Sequence, residues 1–211
     1  MDLNKIKSAI IALDDAAVKN LVQKALDEKV KPEQILESGL IPGMAEVGRL
    51  FSRKEYFVPE ILVAAEAFYA GFKLIDPLLK KTAGRRREKV MIAVVEGDIH
   101  DIGKNIVKVM VEAAGYRVLD LGKDVSTAKL LESAAREKPS ILCLSSLMTT
   151  TMVRMPEIIN RLGEMNLRDK IKVIIGGAPV TEEYADQIGA DGYAADAAAA
   201  VRLIDDLANE P

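Results

Sequence analysis

The stretch Val90-Met91-Ile92-Ala93-Val94-Val95-Glu96-Gly97-Asp98-Ile99-His100-Asp101-Ile102-Gly103-Lys104-Asn105 decides how this chain folds. Its first six residues are uniformly apolar and short, as in a strand covered on both faces. A helix-like pattern follows from Lys104 to Ala114. Between them lies a glycine-bounded loop holding His100, the only histidine in the chain. A carboxylate stands two residues before it, at Asp98. Metal-bound histidines usually donate their second ring N–H to a carboxylate, which fixes the tautomer and raises ligand basicity. The loop therefore reads as a metal ligand with its orienting partner built in.

Working outward, the same strand-then-helix grammar continues to the C-terminus. Strands are expected at Val90–Val95, Arg117–Leu121, Ile141–Ser145 and Val173–Ile175, with a weaker one at Gly192-Tyr193-Ala194. Helices are expected at Lys104–Ala114, Thr127–Glu137, Val153–Met165, Glu182–Ile188 and Ala197–Leu207. Alternation of this kind implies right-handed βαβ units and a doubly wound, flavodoxin- or Rossmann-like parallel sheet of five strands. Ligands of such sheets bind outside the carboxyl ends of the strands, at the switch point. The unusual residues collect there: the His100 loop after the first strand, Ser145-Ser146-Leu147-Met148-Thr149-Thr150-Thr151 after the third, and Gly176-Gly177-Ala178-Pro179 after the fourth. A flavodoxin-like order makes the first and third strands neighbours. Each piece also has a plain reading: hydroxyls as helix caps, glycines as a turn, Asp98 as a loop acid. Their joint occurrence favours a large polar ligand.

Residues 1 to about 80 carry helical periodicity only. Ile6, Ala9, Ile10 and Leu13 form one stripe; Asp14 is a candidate N-cap for a second helix through Leu26. Pro32 opens a third helix, which Gly39 and Pro42-Gly43 are expected to break. A long last helix starts at Phe57-Val58-Pro59. The result is a four-helix bundle. The run from Lys80 to Lys89 lacks apolar periodicity and reads as a linker, which places the domain boundary between residues 84 and 85.

Composition narrows the function. With 211 residues and 49% hydrophobic content, the chain can bury a sizeable core. A net charge of -3 and 4% aromatics argue against nucleic-acid binding. The single cysteine, Cys143, sits in an apolar run and reads as a buried thiol in a reducing compartment. No signal peptide or membrane-spanning run is visible, so a cytoplasmic location is expected. No GxGxxG is present to support nicotinamide binding.

Asp98-x-His100-x-x-Gly103, Ser145-x-Leu147 and Gly176-Gly177 fall in one order along the chain. With the helical segments from Gly43 to Phe51 and Tyr56 to Pro59, they resemble the corrinoid proteins of methyltransferase systems, relatives of the cobalamin-binding region of methionine synthase. The resemblance implies an N-terminal helical cap and a C-terminal α/β domain that binds a cobamide base-off. His100 would be the lower ligand of cobalt. Asp98 would bond His100, and Thr151 would complete a relay exchanging a proton with solvent. Ser145, Leu147 and Thr149 would line the pocket for the nucleotide tail, and Gly103, Gly176 and Gly177 would pack against it. Ile99, Asp101, Ile102, Ala178 and Tyr193 would add contacts, and Phe57 would cover the upper face.

The implied role is a methyl carrier cycling between Co(I) and methyl-Co(III). Its partners would be a substrate-specific methyltransferase, a reductive activation protein and a second methyltransferase. The acceptor would be tetrahydrofolate, tetrahydromethanopterin or coenzyme M, with little turnover by the chain alone. No membrane or nucleic-acid partner is expected. A cobalamin-dependent sensor is the alternative, although no basic recognition helix is evident. A mutase subunit would lack the helical half, and a flavodoxin-like phosphoacceptor would not need His100.

Overall fold

In the computed structural model, which describes residues 2–79 and 88–208, the two grammars become two units, one helical and one α/β. The boundary expected between residues 84 and 85, and most of the expected linker, lie outside the described residues. Lys89, the last residue of that expected linker, instead begins the first strand, where its ammonium donates to the Glu137 carbonyl at 2.8 Å.

The helical unit comprises α1 (Asn4–Ile11), α2 (Asp15–Asp27), α3 (Pro32–Ile35), a π-helical turn (Leu36–Leu40), α4 (Ile41–Ser52) and α5 (Val58–Leu79). Asp14 caps α2 by accepting from the Ala17 N–H at 2.8 Å, as expected. Pro32 sits in the first turn of α3. The break expected at Gly39 and Pro42-Gly43 does not occur. α3 runs into α4 through the π turn, in which the Ile41 N–H reaches back to the Leu36 carbonyl. The wider turn accommodates a proline that cannot donate to the preceding turn. The glycines are there for contact. A Cβ on Gly43 would come within 2.8 Å of Ile10 Cδ1, and one on Gly39 within 3.3 Å of Ile6 Cβ. Glycine at i and i+4 lets α1 lie directly on this helix. Gly71 of α5 does the same for Val18 and Val22 of α2, each 2.9 Å from its missing Cβ. The Tyr56 hydroxyl donates to the Ile11 carbonyl at 2.6 Å, satisfying an acceptor at the end of α1.

The α/β unit follows the order β1 (Lys89–Val94), α6 (Ile102–Ala113), β2 (Arg117–Asp120), α7 (Thr127–Glu137), β3 (Ile141–Ser145), α8 (Thr149–Met152), α9 (Arg154–Glu164), β4 (Lys172–Gly176), α10 (Glu182–Ile188), β5 (Gly192–Ala194) and α11 (Ala197–Ala208). All pairings are parallel, in the spatial order β2-β1-β3-β4-β5. Residues alternate between two cores. Met91, Ala93, Leu142, Leu144, Val173 and Ile175 pack with α7 and α9. Val90, Ile92, Ile141, Cys143 and Ile174 pack with α6 and α11. This is a doubly wound sheet. Cys143 is buried, and burial pushes its thiol pKa up to about 12, so it stays protonated and unreactive. Val94, Ser145 and Gly176 are in register, which lines up the ends of β1, β3 and β4. Among the described residues no helix is long and apolar enough to cross a membrane.

Candidate functional site

The site begins where β1 ends. Val95 bridges to Val125, and Gly97 turns the chain at φ +84°. Two bonds hold the loop that follows: the Gly97 N–H donates to Asp124 Oδ1 at 2.7 Å, and the Asp124 N–H donates to the Asp98 carbonyl at 3.0 Å. Asp124 therefore fixes the loop from the β2 side. The sequence reading did not single it out; its positive φ of 50° is the local signature of its role.

Asp98 is fully buried. One oxygen, Oδ1, accepts from the His100 N–H at 3.0 Å and from His100 Nδ1 at 2.8 Å. The other, Oδ2, accepts from the Leu147 N–H at 2.6 Å and from the Thr151 hydroxyl at 3.1 Å. Ser146 Oγ lies 3.3 Å from Oδ2. Burial opposes ionisation of this carboxyl. The backbone N–H groups of His100 and Leu147, with the His100 ring and the Thr151 hydroxyl, outweigh it and hold the pKa far below the usual carboxylate range. An ionised Asp98 holds the proton on Nδ1, which turns Nε2 outward as the nitrogen available to a metal. The His100 side chain is half-exposed, at 47%.

The expected meeting of the first- and third-strand loops is therefore present. Asp98, His100, Leu147 and Thr151 form one hydrogen-bonded group. Leu147 joins it through its backbone, while its side chain is exposed, as are those of Ile99 and Ile102. Thr149 is exposed at the start of α8, Ser145 is half-buried at the end of β3, and Asp101 pairs with Lys123 at 3.7 Å. Gly103 is open: a Cβ there would meet nothing within 4 Å. Gly176 and Gly177 are closed against the chain itself. A Cβ on Gly176 would lie 2.9 Å from the Ala194 carbonyl oxygen, and one on Gly177 only 1.8 Å from that of Ser146. Ala178 is exposed beside them, and Tyr193 is half-buried against the sheet core. Phe57 belongs to the helical unit, where it is 60% exposed.

Two further buried polar residues escaped the sequence reading. Ser146 is fully buried and lies 2.8 Å from Thr151 Oγ1. Lys104 is buried at 2% exposure, with its ammonium on Asp120 and Asn105, each at 2.7 Å. Lys104 and Lys108 stand one turn apart on α6 and both reach Asp120, a pairing that the spacing along the helix permits but does not by itself announce.

The donor set fits a metal that arrives with ligands of its own. Among the described residues no three His, Cys, Asp or Glu side chains cluster as a metal site. A cofactor that brings its own nitrogen donors would need only one imidazole from the protein, which His100 could supply.

Residues 88–202 match a family described as a B12 binding domain, and residues 2–75 match a second family with the same description. The chain belongs to the B12-binding corrinoid proteins. It is 42% identical over 204 residues to a corrinoid protein of Desulfitobacterium hafniense (strain Y51), covering 95% of this chain and 94% of that one. It is 42% identical over 202 residues to the trimethylamine corrinoid protein of Methanosarcina barkeri, covering 95% and 93%. Among solved structures, a methanol:cobalamin methyltransferase complex from Methanosarcina barkeri superposes with TM-score 0.87 at 31% identity, covering 99% of this chain and 80% of that one. A cobalamin-binding protein from Desulfitobacterium hafniense DCB-2 gives TM-score 0.81 at 34% identity, covering 98% of each. As a corrinoid protein the chain is a cobamide binder, and its helical-plus-α/β architecture is that of its relatives.

Proposed function

We propose that this corrinoid protein is a methyl carrier that binds its cobamide base-off, with His100 as the lower ligand of cobalt. The observation that carries the reading is the 2.8 Å bond from His100 Nδ1 to a buried Asp98. The bound corrinoid supplies a cobalt atom that accepts a methyl group from one partner and yields it to another. The protein's own part is orientation and electrostatics. Asp98 fixes the imidazole tautomer and raises its basicity, and so biases the states of cobalt that take a lower ligand. Thr151 supports Asp98 from the far side. Gly103, open at its missing Cβ, leaves room for the tail, as do the exposed Thr149 and Ala178 in the loops after β3 and β4. Ser145, Leu147, Gly176, Gly177, Ile99, Asp101, Ile102 and Tyr193 complete that region. The helical unit, residues 1–84, is a cap that shields the reactive face, with Phe57 its covering side chain; residues 85–211 hold the cofactor.

The partners are a substrate-specific methyltransferase, an acceptor methyltransferase using tetrahydrofolate, tetrahydromethanopterin or coenzyme M, and a reductive activation protein. Relatives named for trimethylamine and dimethylamine support a methylamine-derived methyl group. The unreactive thiol of Cys143 suits a cytoplasmic setting.

The test is the EPR spectrum of the Co(II) form. Wild type should show hyperfine coupling from one axial nitrogen, which His100→Ala should abolish while cobamide remains bound. An unchanged pattern in that variant would sink the assignment. Asp98→Asn should keep the fold but weaken ligation or methyl transfer roughly 10–100-fold, the usual cost of losing such a partner.

A further inference from the structure

We propose that Ser146 is a positioning residue for the His100 imidazole, acting through Thr151 and Asp98 as the first donor of a linear hydrogen-bond chain. Ser146 and Thr151 share one neighbourhood with three acceptors: Asp98 Oδ2, the Met148 carbonyl and each other's oxygen. Each hydroxyl has a single proton. The Met148 carbonyl already accepts from the Thr151 and Met152 N–H groups at 3.2 and 3.0 Å. The strongest remaining acceptor is the Asp98 carboxylate, because a bond to an ionised group is about twice as strong as a neutral one. Thr151 is the nearer donor to it, at 3.1 Å against 3.3 Å for Ser146. With the Thr151 proton on Asp98, the 2.8 Å contact between the hydroxyls needs the Ser146 proton. The order is Ser146 to Thr151 to Asp98, with the His100 Nδ1–H donating into Asp98 from the other side.

Ser146 has little freedom to leave this order. Its N–H donates to the Gly176 carbonyl at 3.1 Å, and its own carbonyl occupies the space that a Cβ on Gly177 would fill. The loop after β4 thus sets where the chain starts. Donation from Ser146 polarises Thr151, and chained hydrogen bonds of this kind strengthen one another by roughly 10–30% per bond. Thr151 then draws more charge from Asp98, and Asp98 gives less to His100. Ser146 is a brake on imidazole basicity.

The inference rests on the reading of His100 as the cobalt ligand, and the experiment separates the two. His100 is the only histidine, so the imidazole of the apoprotein gives a single set of nitrogen-15 and proton signals. In Ser146→Ala the Nδ1 proton should move downfield, as its bond to a more electron-rich Asp98 tightens. In the loaded protein a threefold stronger ligation would lower the Co(II)/Co(I) midpoint by about 30 mV, at about 59 mV per tenfold. Ser146→Cys keeps the shape with a weak donor and should shift both readouts the same way by less. If both stay at wild-type values while only the urea midpoint falls, Ser146 is structural and the proposal is overturned. If wild type lacks axial nitrogen coupling, the ligation reading fails, whatever Ser146 does in the apoprotein.

Discussion

The helical and α/β units solve burial differently. Among the described residues, every buried side chain of the helical unit is apolar, whereas all six buried polar or charged residues, Asp98, Lys104, Thr127, Ser133, Ser146 and Thr151, lie in the α/β unit. The helical unit obtains close contact from glycines facing Ile6, Ile10, Val18 and Val22. The α/β unit accepts the cost of dehydrating polar groups and offsets most of it with bonds, two of them, from the Leu147 N–H and the Thr151 hydroxyl, converging on Asp98 Oδ2; Thr127 Oγ1 is the buried exception, with no partner among the described residues. Shape is what a substitution disturbs in the first unit. In the second it disturbs hydrogen bonding as well.

The largest effect is expected at Gly177, where both kinds of constraint meet. Its φ is +124° and a Cβ would overlap the Ser146 carbonyl. Strain and overlap each cost roughly 1–3 kcal/mol, so Gly177→Ala should lose about 4 kcal/mol in urea denaturation of the apoprotein. A loss below about 1 kcal/mol would show that the loop yields easily and that Ser146 is not locked.

Next comes the buried ion pair. Asp120→Asn leaves the Lys104 ammonium buried without its anion and should cost about 3 kcal/mol. Burial opposes ionisation of Asp120, but the hydrogen bond from Lys104, the Gly122 N–H and the charges of Lys104 and Lys108 lower its pKa. A lowered folded pKa contributes stability above the unfolded value, about 3.9, that is lost as pH falls through the folded one. The gap between wild type and Asp120→Asn should therefore be full at pH 7 and close below about pH 4. A gap that persists into acid would mean that the charge is not what stabilises this pair.

Gly43→Ala tests shape alone. Overpacking against Ile10 costs roughly 1–3 kcal/mol, and the alanine returns about 0.5–1 in helix propensity. The expected net loss is about 1 kcal/mol, with cobamide affinity unchanged. Altered affinity would show that the helical unit contributes to binding. The smallest effect on stability is expected for Phe57→Ala, within about 0.5 kcal/mol, because the ring is 60% exposed. The proposed cap nonetheless predicts faster bleaching of the bound corrinoid in light and air, followed by its visible spectrum; equal lifetimes would refute that role.

Much of this was readable beforehand because its causes are local. Thr127–Glu137, Ile141–Ser145 and Glu182–Ile188 have the bounds expected from periodicity and caps. Pro42 misled because proline breaks a regular helix but not one widened by a π turn beforehand. Ser146 was passed over for Ser145. The two hydroxyls are adjacent, and which one reaches Thr151 depends on where β3 stops and on the space left by Gly177. Lys104 marks only the start of a helix in the sequence, because the partner that makes its burial tolerable, Asp120, comes from β2.

The sequence by itself determined the alternating fold and the bond between Asp98 and His100, since two residues on one loop need no distant partner. Tertiary structure alone decided how closely three residues gather around the other oxygen of Asp98. Ser146, Leu147 and Thr151 stand 48, 49 and 53 residues away in the chain. Only the parallel pairing of β1 with β3, in register at Val94 and Ser145, brings them to it. Hydrogen bonds act over about 3 Å, and sheet register sets that distance where spacing along the chain cannot.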